Sequence, residues 1–254
     1  MSSVTDPQSN NARWTQLVLG VIAMMAISSP QYVWTLFVKS FQTTTGATLP
    51  AIQVTFSLLI VLQTWFSPAQ GWLVDKFGPK LLIAVGGALS GLGWVLSAHI
   101  TSLTGLYLTY GLFCGLGTGI VYVGIVGLMV RWFPDRRGFA TGMVAAGYGF
   151  GAILTTFPID SMMKSSDYKT TLVTFGIILG VVGVLAALGL RNPQQGEIAV
   201  AATSTKIATS SHDYEPKEML KTPLFWLMFV MMTMMSTGGL MVISQFANFT
   251  RDFG

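Results

Sequence analysis

The sequence predicts an all-α polytopic membrane protein in which six spanning helices are joined by a linker to a seventh. Three observations carry that expectation. Hydrophobic residues make up 52% of the 254-residue chain and charged residues only 9%, against roughly 25% charged residues in soluble domains. The hydrophobic residues gather into runs near the ~20 residues that a helix needs to cross the hydrocarbon core. Lys and Arg fall in the connections between those runs, mostly on one side.

Residues 1–12 are polar and are expected to be disordered. The first apolar run, about Trp14–Val38, is too long and too far into the chain for a cleaved signal peptide, so it is read as the first span. Runs at about Ala51–Val74, Leu81–Ala98, Leu103–Val130, Phe139–Ile159 and Thr171–Leu190 complete a six-helix unit over residues 13–190. They are read as helices because a chain in lipid must satisfy its backbone internally, and the runs are twice the length of a barrel strand and do not alternate. Residues 191–222, rich in Ala, Ser, Thr and charge, read as a flexible linker. Residues 223–254 hold a last run, about Leu224–Phe246, which opens a further unit.

Arg13, Lys76, Lys80, Arg131, Arg136, Arg137, Arg191, Lys206, Lys217 and Lys221 fall on the side of the N-terminus, while Lys39, Lys164, Lys169 and Arg251 fall opposite. The positive-inside rule then places the N-terminus and the linker in the cytoplasm of a multi-pass plasma-membrane protein, in a bacterium an inner-membrane one. The formal charge of +4 is dispersed over short loops, so a lipid bilayer and not nucleic acid is the expected partner. Cys114 is the single cysteine, which excludes an intrachain disulfide; it is read as packing. His99 and His212 are far apart, and no P-loop lysine pattern or nucleophile elbow occurs. No metal, cofactor or enzymatic activity is therefore expected. The spans carry no clear Lys, Arg, Glu or His. Asp160, after Pro158, is read as a solvated helix end, with a buried proton carrier as the alternative.

Two loops carry the strongest local signal. Gly71-Trp72-Leu73-Val74-Asp75-Lys76-Phe77-Gly78-Pro79-Lys80 lies between the second and third runs. In it Gly71 allows close helix approach, Asp75 offers a carboxylate just past an apolar run, Lys76 and Lys80 mark a membrane side, and Gly78-Pro79 stops one helix and starts the next. Arg131-Trp132-Phe133-Pro134-Asp135-Arg136-Arg137-Gly138 lies between the fourth and fifth runs on the same side.

Polar groups inside the apolar runs are the candidates for a site. The first span contains Ser28-Ser29-Pro30-Gln31-Tyr32, where Pro30 can kink the helix and Gln31 and Tyr32 can donate hydrogen bonds. Gln63, near the middle of the second span, must find a partner where solvation is scarce. The fourth span contains Gly111, Gly115, Gly117 and Gly119, then Tyr122; the fifth contains Ala145-Ala146-Gly147-Tyr148-Gly149-Phe150-Gly151. These glycines are read as close-packing surfaces, and the methionines Met228, Met231, Met232, Met234 and Met235 as lipid-facing or packing residues. Inverted three-helix repeats would make spans one and four correspond, and Tyr32 and Tyr122 stand at matching depths in them. A shared pocket and an interfacial aromatic belt are the two readings of those phenols.

The 71–80 loop fits Gly-x-x-x-Asp-[Arg/Lys]-x-Gly-x-[Arg/Lys], and so resembles the signature loop of the major facilitator superfamily. With the polar stretches of spans one, four and five, the chain resembles the oxalate/formate antiporter family and the related monocarboxylate transporters over essentially its whole length. That resemblance implies the major facilitator fold, two six-helix bundles around one central site, and secondary transport of small carboxylates by alternating access. Gln31, Tyr32, Tyr122 and Tyr148, which share a polar face in otherwise apolar helices, are then expected to line the neutral wall of the substrate site, with Gln63, whose partner is another helix or the ligand, as a further substrate-binding candidate. The resemblance also implies that Gly71, Asp75, Lys76, Gly78, Lys80, Arg131, Arg136 and Arg137 form a conformational gate, with Asp75 pairing with a loop arginine in one state; the alternative is that both loops only set topology. Pro79 stands where the commonest pattern has a basic residue, so one contact of the general scheme is not carried over. Anion-binding basic residues are expected in a second bundle, which makes this chain the expected N-terminal half of a twelve-helix carrier plus one helix, with the C-terminal half as its missing partner. The other functions considered are a carrier in the same superfamily for a non-carboxylate substrate, and a transport-dead module that senses a ligand or binds a partner.

Overall fold

Proline and glycine decide where the helices break. The computed structural model describes residues 7–194, 197 and 216–252. Helix α1 (Pro7–Ala26) opens on Pro7, whose missing N–H costs nothing in a first turn, so residues 7–12 are helical where disorder was expected. Span one does not continue as one kinked helix to Val38. It passes through a short α2 (Ser29–Tyr32) into α3 (Trp34–Thr45). Pro30 sits in the first turn of α2 and can donate no backbone hydrogen bond. Side chains supply what the break removes: Ser28 Oγ donates to the Met25 carbonyl at 2.9 Å, and Tyr110 Oη to the Pro30 carbonyl at 2.8 Å.

Span two, expected to be continuous, is two helices, α4 (Leu49–Thr64) and α5 (Ser67–Phe77), bent by 50°. Pro68 lies in the first turn of α5, and across the bend Gln70 Nε2 donates to the Leu62 carbonyl at 3.0 Å. Gln70 is only 3% exposed, so this amide replaces backbone pairing in a place that water does not reach. Helix α5 stops at Gly78, whose φ of 87° suits a residue without Cβ, and Pro79 starts α6 (Pro79–Ser97), as the sequence predicted.

Span four runs from Leu103 to Trp132 as α7 (Leu103–Leu106), a π-helical segment Tyr107–Cys114, and α8 (Gly115–Trp132). Helix α9 (Arg137–Ser165) carries Pro158 inside it and continues past the expected end. Asp160 is therefore within a helix, where its carboxylate accepts from Lys164 Nζ at 2.6 Å one turn on, in an exposed pair. Helix α10 (Tyr168–Leu188) is capped by Asp167, which accepts from the Thr170 N–H at 2.8 Å; hydrogen bonds from Thr170 hold its carboxyl below the usual carboxylate range.

Among the described residues five helical stretches are long and apolar enough to cross a membrane, six when the bent α4–α5 pair counts as one. No strand occurs among them. A separate compact unit holds α11 (Pro216–Met219) and α12 (Pro223–Asp252), with an apolar stretch Pro223–Gly239 on which Met228, Met231, Met232, Met234 and Met235 are all exposed.

The first unit, residues 1–201, is held by two apolar clusters. One gathers Leu17, Met24, Ile27, Ile125, Met129 and Trp132. The other gathers Trp34, Phe37, Phe41, Phe56, Trp94 and Tyr110. Spans one and four each pass from one cluster to the other, and the buried polar groups Ser28, Ser29, Gln31 and Thr118 fall at the crossover. Between α6 and α8 the backbones touch: a Cβ on Gly117 would lie 2.6 Å from the Gly86 carbonyl oxygen, a separation that real Cβ atoms do not show. Gly117 is thus a close-packing glycine, as expected, whereas a Cβ on Gly149 would meet nothing within 4 Å.

Candidate functional site

The break in span one and the glycine contacts of span four bring three helices together around Gln31. Its side chain is 8% exposed. Tyr148 Oη, from α9, donates to Gln31 Oε1 at 2.8 Å, and Gln63 Nε2, from α4, donates to the same oxygen at 3.2 Å. Gln63 Nε2 also approaches Tyr148 Oη at 3.4 Å, so the three side chains form a closed triangle. Thr118 adds a long contact, Oγ1 to Gln63 Oε1 at 3.5 Å, while its hydroxyl back-bonds to the Cys114 carbonyl at 2.7 Å.

The tyrosines converge on the same place. The Tyr32 and Tyr122 rings each lie 5.5 Å from the Tyr148 ring, the second edge-on at 88°. Tyr148 is buried and its hydroxyl is spent on Gln31. Tyr32 and Tyr122 are half-buried, and among the described residues their hydroxyls make no hydrogen bond. All five residues predicted to line a site therefore meet, and two phenols among them have donors to spare. The arrangement can hydrogen-bond an oxygen-rich ligand but offers no charge to balance an anion.

The loop residues do not all meet. The Arg131 guanidinium pairs with the Asp75 carboxylate and donates to Asn192 Oδ1 at 3.1 Å. A cavity of about 180 Å³ beside this pair is lined by Gly71, Asp75, Pro79, Gly127 and Arg131. Gly71 does not serve a close approach: a Cβ there would meet Val123 at 3.5 Å, an ordinary contact. Lys76 Nζ lies over the Trp72 and Phe77 rings, at 4.7 and 5.4 Å from their centroids. Lys80 has no partner among the described residues. Arg136 approaches Asp135 at 3.7 Å, and Arg137 opens α9 without an ion pair among them. Asp135 is instead paired with Arg13, whose guanidinium also covers the Phe133 ring at 4.5 Å.

Five residues have contacts that the sequence reading did not assign. Thr118 stands one turn before Tyr122, a spacing of four that puts both on one helix face, so its signal was available. Arg13 and Asp135 are 122 residues apart and Arg131 and Asn192 61 apart; no local pattern pairs them. Glu197 accepts from Arg191 Nη1 and Nη2 at 2.7 and 2.6 Å, and these hydrogen bonds push its carboxyl down to about 2. Among the described residues no group of three or more His, Cys, Asp and Glu could hold a metal ion.

A bundle of apolar helices with interrupted first and second spans, a neutral polar triangle at the interruption and an ion-paired loop at one end defines a polytopic α-helical membrane protein. The chain belongs to the Major Facilitator Superfamily, whose family model matches residues 17–254. It is similar to the oxalate:formate antiporter of Oxalobacter formigenes, 36% identical over 95% of this chain and 56% of the antiporter. It is also similar to the MFS-type transporter YhjX of Escherichia coli (strain K12), 28% identical over 94% of this chain and 58% of that protein. Monocarboxylate transporter 14 of Mus musculus is 29% identical over 64% of this chain and 30% of its own length. The chain spans a little over half the length of the first two relatives.

Proposed function

We propose that this chain forms the neutral half of the binding site of a secondary carrier for small carboxylates, of the oxalate, formate or lactate kind, that works by alternating access. The observation that carries this reading is the Gln31–Gln63–Tyr148 triangle with the unspent hydroxyls of Tyr32 and Tyr122 beside it. A carboxylate entering a site of low dielectric loses hydration worth several kcal/mol, and phenols and amides offset part of it. No Lys or Arg stands at that depth in the described spans, so the balancing cation belongs to a second bundle of the whole carrier. The larger size of the antiporter relative supports this division of labour.

The Asp75–Arg131 pair fits a gate on the same carrier. It joins the ends of α5 and α8, so a rocking of those helices would break it. The excess of Lys and Arg at that end supports a cytoplasmic N-terminus and, in a bacterium, insertion in the inner membrane.

Uptake of labelled oxalate and lactate into proteoliposomes holding the whole carrier tests the reading. Tyr122→Phe and Gln31→Ala should each raise the half-saturating concentration at least fivefold. Unchanged half-saturation in both removes these residues from the site, and absence of competition by any small anion removes carboxylates as the substrate class.

A further inference from the structure

We propose that the seam between α6 and α10 binds one anionic phospholipid, with its headgroup at Lys80 and Arg191 and an acyl chain along the groove above Gly91 and Gly180. This site lies apart from the central pocket and does not depend on what that pocket carries. Two cavities follow one another along the seam. One, of about 400 Å³, reaches from Gly78 and Lys80 to Arg191 and Asn192. The next, of about 430 Å³, is lined by Ala88, Leu92, Val95, Ile177 and Val181, among others, with Gly91 and Gly180 at its floor.

The groove exists because the floor has no side chains. A Cβ on Gly91 would lie 2.6 Å from the Gly176 carbonyl oxygen and 2.7 Å from Gly180 Cα, so the two backbones touch there. Leu92, Ile177, Val181 and Leu185 stand exposed around that line of contact and form walls of carbon alone. These walls offer a polar ligand no hydrogen-bond partner, whereas an acyl chain needs none.

Length decides between an acyl chain and a shorter apolar ligand. From Lys80 at the mouth of the first cavity to Val95 in the second, the helix rises roughly 22 Å at ~1.5 Å per residue. Half of the ~30 Å hydrocarbon core is about 15 Å. The groove is therefore longer than the ~15 Å of one leaflet's hydrocarbon and takes an acyl chain along its length, where a shorter apolar ligand would fill only part of it.

Charge decides the headgroup. At the mouth, Lys80 is exposed and unpaired among the described residues. The Arg191 guanidinium is fixed there by Glu197 and by the Trp132 ring, 5.1 Å below it. Asn192 spends its Oδ1 on Arg131, which leaves its amide N–H groups to donate. The neighbouring acidic groups are already matched, Asp75 by Arg131 and Glu197 by Arg191. The surplus at the mouth is the positive charge of Lys80, and basic pockets between spans at the membrane surface hold anionic headgroups.

Native mass spectrometry of the purified, delipidated full chain tests the site, with dioleoyl phosphatidylglycerol and dioleoyl phosphatidylcholine as probes. The wild type should retain one phosphatidylglycerol with at least a tenfold preference over phosphatidylcholine. Lys80→Gln should cut that preference about fivefold. Ala88→Phe fills the groove from its exposed side without entering the Gly91–Gly180 contact, and should lower retention about as much. Leu108→Phe, exposed and outside the groove, should leave it unchanged. Equal retention of the two lipids by the wild type, a comparison that needs no variant, would overturn the proposal. So would displacement of the lipid by soluble glycerol phosphate, or retention indifferent to both Lys80→Gln and Ala88→Phe.

Discussion

Tyr148 and Gln31, 117 residues apart, share a 2.8 Å hydrogen bond in which the phenol donates to the amide oxygen. That bond ties α9 to the broken first span at the depth where Gln63 also arrives. Interhelical hydrogen bonds in membranes average only about 0.6 kcal/mol, with a ceiling near ~1.7. Tyr148→Phe should therefore move the thermal midpoint in detergent by a few degrees at most. Its effect on half-saturation of transport should be larger, at least fivefold, because Gln31 loses the donor that fixes its orientation. A large fall in the midpoint with no change in transport would assign the pair to stability alone.

Tyr32 and Tyr122 have no partner to lose among the described residues. Tyr32→Phe and Tyr122→Phe should leave stability within about 0.5 kcal/mol, as expected where no interaction is broken. A drop in carboxylate affinity at constant midpoint is the expected result. Wild-type affinity in the double variant would return both phenols to an interfacial belt.

The Asp75–Arg131 pair is exposed, with the two side chains 63% and 42% accessible, so its worth to stability is about 0–1 kcal/mol. Asp75→Asn should hardly shift the midpoint. If the pair closes a gate, transport rate should fall at least tenfold and cysteine accessibility along α5 and α8 should rise. Wild-type transport in Asp75→Asn would leave both loops the single task of setting topology.

Close packing makes an opposite prediction for two glycines. A methyl group on Gly117 would meet the Gly86 carbonyl oxygen at 2.6 Å and the Ser90 nitrogen at 2.7 Å, whereas one on Gly142 would meet nothing within 4 Å. Gly117→Ala should cost about 1–3 kcal/mol by overpacking. Gly142→Ala should be neutral or stabilising by up to about 1 kcal/mol, through helix propensity. Melting midpoints of the two variants in one detergent decide it.

The Arg191–Glu197 contact sets a pH window. Glu197 has its carboxyl lowered from about 4.5 to about 2 by the Arg191 hydrogen bonds. A carboxyl with a depressed folded value stabilises its folded contact above its unfolded value, and loses that contribution as pH falls toward about 2. The Arg191–Glu197 contact should therefore persist at pH 4, where a free glutamate is largely protonated. A carbon-13 titration of the Glu197 carboxyl should find its midpoint near 2 in the wild type and clearly higher in Arg191→Gln, where the Gln194 N–H still holds it below the ordinary value.

Much of this architecture was legible from local pattern. The span positions follow from hydropathy, the stop at Gly78 and start at Pro79 from backbone chemistry, and the five polar candidates from their rarity in apolar surroundings. The breaks in spans one and two were only half legible. Pro30 and Pro68 announce a disturbance, but whether a helix bends or separates depends on whether its freed carbonyls find partners. Those partners, Tyr110 for Pro30 and Gln70 for Leu62, stand 80 and 8 residues away. The role of Gly71 was misjudged for the same reason: a glycine's need for contact depends on the facing helix, and Val123 leaves room for a methyl group.

By itself the sequence determined the membrane solvent, the helical class, the spans and the family loop, because each is set by neighbours within about twenty residues. Only the tertiary structure decided which polar groups meet. Gln31, Gln63 and Tyr148 form a triangle, Asp75 takes Arg131, and Asp135 takes Arg13 and not a partner across the 71–80 loop. The physical reason is that these pairings are chosen by the glycine contacts that set how closely the helices approach, and backbone approach between distant segments leaves no trace in spacing along the chain.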